Sequence, residues 1–118
     1  MKIDKINNNL SFKTTIDPNF VRSAENFYTK RNLHIQYDKF KKVVNELELY
    51  GNDKSIIFAQ TINNGNENQC FLGLKNPDIN KDQALVLTMS DKFNKLLRFF
   101  GTLNDKMIEQ YEELLASK

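Results

Sequence analysis

The sequence predicts an α+β fold, a three- to four-stranded antiparallel sheet packed by amphipathic helices in the order β-α-α-β-β-β-α-α. Three observations predict it. Period-two alternation or β-branched and aromatic enrichment marks 10–16, 55–62, 69–75 and 83–89 as strands. Apolar residues three and four apart mark the segments between and after them as helices. Turn and capping residues stand at the joints.

The first strand alternates Leu10, Phe12, Thr14 and Ile16 against Ser11, Lys13 and Thr15. Asp17-Pro18 ends it and starts a helix. The aspartate accepts a backbone N–H as N-cap, and the proline carries the φ of a first helical position. Ile16 and Val21 occupy the two positions of a hydrophobic staple. Phe20, Ala24, Phe27, Tyr28 and Arg31 follow, which predicts a helix running to Lys30. A second stripe, Leu33, Tyr37, Phe40, Val44 and Leu47, predicts another helix ending at Gly51. Either Asn32 caps it or His34-Ile35-Gln36 is an extended lead-in.

The middle of the chain reads as an antiparallel meander. Ser55 to Ile62 and Gln69 to Lys75 flank an Asn-rich turn around Gly65, and a polar loop after Asn76-Pro77-Asp78 leads to Gln83–Met89. Ser90-Asp91 is the expected cap of a third helix bearing Phe93, Leu96, Leu97 and Phe100. Gly101-Thr102 ends or bends that helix. A last helix carries Leu103, Met107, Ile108, Tyr111, Leu114 and Leu115.

Residues 1–9 read as a flexible polar lead and 10–118 as one α+β domain, since 118 residues leave no room for a second core. With 40% hydrophobic and 27% charged residues, the chain is globular in composition rather than disordered. No signal-peptide pattern or membrane-length apolar run is present, and Cys70 is the single cysteine, so the expected compartment is the cytoplasm. Net charge is +2, and its uneven spread along the chain is too slight to demand a nucleic-acid or membrane partner. Fourteen lysines against three arginines, with sixteen asparagines, resemble the codon usage of an AT-rich bacterial or phage genome more than a base-reading surface.

Catalytic and cofactor patterns are absent. His34 is the one histidine, and Cys70 shares its side of a strand with Leu72 and Leu74, so a Cys70–His34 nucleophile pair is weaker than a reading of Cys70 as a small core hydrophobe. The spacing of Glu67, Asp78 and Asp82 does not make a calcium loop, and no Cys or His motif offers a zinc site. Gly51, Gly65, Gly73 and Gly101 are isolated, so no glycine-rich phosphate loop forms. Glu46, Glu48, Glu109, Glu112 and Glu113 read as solvated helix faces.

The leading expectation is therefore a small non-catalytic binding or adaptor protein acting through protein–protein contacts, including contact with a second copy of itself. Phe99, Ile108, Tyr111 and Leu115 are the candidate interface, with Leu49 likewise offset from its stripe. The competing reading is that the C-terminal helix docks wholly on the sheet. A nucleic-acid accessory role is the first alternative, with Lys30, Arg31, Lys39, Lys41 and Lys42 as the phosphate contacts. A small enzyme or ligand-binding domain, with a pocket invisible in sequence, is the second.

Overall fold

A computed structural model describes residues 14–50, 54–65 and 67–118. The expectations for the polar lead and for Leu10 to Lys13 of the first strand lie outside the described residues, as does Gly51. The elements are β1 (Thr15–Ile16), α1 (Pro18–Lys30), α2 (His34–Tyr50), β2 (Ile56–Asn64), β3 (Glu67–Asn76), α3 (Pro77–Asn80), β4 (Lys81–Ser90), α4 (Phe93–Phe100) and α5 (Asp105–Ala116). The α+β order is the predicted one, with a short extra helix, α3, in place of the polar loop.

The four strands lie in the order β1-β2-β3-β4. β2, β3 and β4 form the expected antiparallel meander, and Gly65, at φ +64°, supplies the left-handed residue of the β2–β3 turn. β1 joins this sheet but runs parallel to β2, pairing Thr15 with Ile56 and Ile16 with Ile57. The sheet is therefore mixed. A strand that returns through helices on one face comes back in its original direction, whereas a tight hairpin would reverse it.

Local chemistry explains where the helices begin and end. Asp17 caps α1 by accepting the Asn19 N–H at 3.1 Å. Asn32, at φ 55°, closes α1 in the left-handed conformation, and the Leu33 and Asn32 N–H groups donate back to the Tyr28 and Thr29 carbonyls. Asn32 thus terminates the first helix rather than capping the second. Asn76 accepts the Asp78 N–H at 2.9 Å and so starts α3. Ser90 accepts the Lys92 N–H, one step before α4, so the expected Ser90-Asp91 cap acts on the lead-in and α4 has no side-chain N-cap. α4 ends at Gly101, and Asn104 caps α5 through the Met107 N–H at 3.0 Å.

The main core lies between the helices and one face of the sheet. Phe20 stands at its centre, edge-on to Phe40, Phe93 and Phe100 with ring centroids 5.3–6.2 Å apart, so one side chain joins α1, α2 and α4. Ile57, Leu72 and Leu74 close the core from the sheet side.

α5 sits differently from its apolar stripe. Ile108, Glu112 and Leu115 are buried, Met107 and Tyr111 half-buried, and Leu114 exposed at 54%. Glu112 is drawn inward because its carboxylate accepts the Ser55 hydroxyl, while the Asn76 amide donates to the same Ser55 oxygen at 3.1 Å. Neither Glu112 nor Glu48 is a solvated acid: Glu48 is half-buried and accepts the Ile16 N–H at 3.4 Å.

Replacing Ser55 by alanine removes a shared partner of two buried polar groups, with an expected cost of about 1–3 kcal/mol in chemical denaturation. Glu113→Ala, on the exposed side of the same helix, changes stability by less than about 0.5 kcal/mol. Equal effects of the two substitutions would remove the buried linkage from the account of the fold.

Candidate functional site

The surface that stands out is the sheet face turned away from the helices. An antiparallel sheet with one wet face carries polar residues there. Here the outward positions of β2 are Ile56, Phe58, Gln60 and Ile62, those of β3 are Gln69, Phe71, Gly73 and Lys75, and β4 adds Ala84, Val86 and Met89. Among the described residues, the larger apolar side chains of this set are absent from those packed against the main core. Val86 and Met89 are 47% and 49% exposed.

The residues of this face are organised among themselves. Phe58 pairs across the strands with Gly73, and its ring lies over the glycine so closely that a Cβ there would meet the ring at 2.7 Å. Phe71 meets Phe58 edge-on at 5.9 Å between centroids, and the Lys75 ammonium stands 5.1 Å over the Phe58 ring. β4 carries one extra residue opposite the Leu72/Gly73 step, and this bulge turns Val86 and Met89 to the same side.

The residues expected at an interface are placed elsewhere. Ile108 and Leu115 are covered by the chain's own core and cannot meet a partner without unfolding α5 from it. Phe99 and Tyr111 are half-buried and packed against that core. Leu49 is exposed at 60%, as its offset suggested. The sheet face was missed although a signal was present. Ile56-Ile57-Phe58-Ala59 is apolar at both parities, the pattern of a strand covered on both faces.

The basic residues divide among separate surroundings. Lys41 pairs with Asp38 at 3.5 Å and stands over the Tyr37 ring, and Lys42 is exposed. Arg31 lies over the Phe27 ring at 3.9 Å. Arg31 and Lys39 line a cavity between α1, α2 and α4, and Arg31 also lines, together with Lys30, a second cleft beside β3. Tyr37 bridges α1 and α2 by donating to Glu25 at 3.0 Å, and partial burial followed by this acidic partner raises its phenol pKa.

Cys70 lines the same cleft as Lys30, to which exposed His34 does not contribute. Its thiol donates to the Ser90 carbonyl at 3.3 Å. Burial, and then the Asp91 charge, push its pKa above the ordinary thiol value. No helix among the described residues is long and apolar enough to cross a membrane.

The raised thiol pKa lowers the thiolate fraction below that of an ordinary cysteine at pH 8, and the reactive form gains population only as pH rises further. Alkylation of folded protein by iodoacetamide at pH 8 is expected to run slower than in denaturant. Equal rates would show Cys70 to be open and unperturbed.

Compared with protein-family models, curated proteins and solved structures, the chain matches none, and the reading of its surfaces rests on its own geometry.

Proposed function

We infer that this chain is a non-catalytic binding module that works through protein–protein contact, with the outward sheet face as its contact surface and a second copy of the chain as its partner. The observation that carries this reading is the set of apolar residues on the outward side of three neighbouring strands, centred on Phe58, Phe71, Val86 and Met89. Contiguous apolar surface of this kind marks contact sites in proteins that otherwise keep polar groups outward.

Two features favour a second copy. Strands of nine and ten residues give a face roughly 30 Å long, and two such faces stacked at the usual ~10 Å bury on the order of 1,000 Å². That is the size of a weak, reversible dimer. The charges are also self-complementary. Lys75 and Asp82 fall at the same end of the sheet on adjacent strands, and a twofold axis along the strands sets each lysine toward the other copy's aspartate.

Sedimentation velocity across micromolar to submillimolar concentrations is expected to show reversible dimers. Val86→Lys with Met89→Lys is expected to abolish them, because four ammonium groups then meet in the interface, while the melting temperature of the monomer stays unchanged. A monomer at all concentrations, or dimers indifferent to the double substitution, would overturn the reading. Retardation of single-stranded RNA or DNA that disappears with the Phe58 and Phe71 rings would replace it by base stacking on this face.

A further inference from the structure

On the helical side of the molecule, remote from the sheet face, α1, α2 and α4 frame a half-open cavity of about 560 Å³. Its volume is that of a small-molecule site. The floor is apolar, formed by Phe27, Tyr28, Phe40, Val43 and Leu97. The wall carries Arg31, Lys39 and Arg98, and no aspartate or glutamate contributes to the lining.

We propose that this cavity binds a small apolar anion, a hydrocarbon chain or ring ending in one carboxylate, with the carboxylate held by Arg98 and Lys39 and the hydrocarbon laid on the aromatic floor. Three like charges around one partly enclosed space repel one another, and an anion among them relieves that repulsion. Lys39 and Arg98 make no ion pair among the described residues. Arg31 is held in place by the Phe27 ring under its guanidinium and by an Nη1 bond to the Phe27 carbonyl at 3.2 Å, with its remaining N–H groups available as a fixed positive wall. Tyr28 adds a hydroxyl that has no hydrogen-bond partner among the described residues. The apolar floor selects against small hydrated anions such as inorganic phosphate, which would leave it wet. The cations select against alcohols and amines of the same chain length.

The test is calorimetric titration of the full chain with three probes of equal length: decanoate, decan-1-ol and decyltrimethylammonium. Decanoate is expected to bind one per chain, decanol about tenfold or more weaker, and the cation not at all. Arg98→Gln with Lys39→Gln is expected to weaken decanoate by about tenfold or more without lowering the ligand-free melting temperature. Val43→Trp is expected to block the cavity and abolish binding. Decanoate binding in the Val86→Lys, Met89→Lys protein is expected to match that of the parent chain, which separates this site from the sheet face. The proposal is overturned by absence of decanoate binding, by equal binding of decanol, by indifference to the Arg98 and Lys39 substitutions, or by loss of binding when only the sheet face is changed.

Discussion

The position of the C-terminal helix depends on one buried polar linkage, the Ser55 hydroxyl shared between the Glu112 carboxylate and the Asn76 amide. A carboxylate taken out of water is costly unless it is hydrogen-bonded where it lands, so the location of Ser55 fixes which side of α5 turns inward. With Glu112 held, Ile108 and Leu115 fall on the sheet. Ser55 lies at the head of β2 and Asn76 ends β3, and Asn76 also caps α3. Three segments distant in sequence thus meet at one set of bonds. An apolar side chain at 112 would fill the same space without selecting a single rotation of the helix.

Six of the described phenylalanines divide between two structures with different roles. Phe20, Phe40, Phe93 and Phe100 interlock between the helices, where the edge-on contacts of Phe20 and the tilted contact of Phe40 with Phe100 fix how α1, α2 and α4 pack. Phe58 and Phe71 lie on the other side of the sheet, apart from the described residues that pack against the main core. Among the described residues, the sheet therefore has apolar side chains on both sides but helical cover on one. A small domain with a second apolar layer leaves surface that water wets poorly, and contact with another molecule is the direct way to cover it.

Much of this arrangement was legible in the sequence wherever a feature was local. Asp17-Pro18 placed the start of α1, and alternation or β-branched and aromatic enrichment between turn residues placed β2, β3 and β4 to within a few residues. What escaped was set by partners far along the chain. β1 reads as a strand, but its parallel direction follows from the path of α1 and α2 back to the sheet. The buried side of α5 was misjudged because a glutamate counts as a solvent position in any apolar stripe, and only Ser55, 57 positions away, makes it a core residue. The basic cavity was invisible for a similar reason. Arg31 and Lys39 are close in sequence, but Arg98 joins them only when α4 packs beside α1 and α2.

The contact between Phe58 and Gly73 has an evolutionary consequence. The ring occupies the space that any side chain at 73 would need, so the two positions form one unit of shape. A lineage that replaces Gly73 must first shorten residue 58 or let its ring lift from the strands, and one that shortens residue 58 exposes the bare backbone of β3 to water. Exchanges at 58 and 73 are thus expected to appear as compensated pairs across descendants of this chain, while solvent-facing helix positions such as Lys42 and Glu113 drift singly.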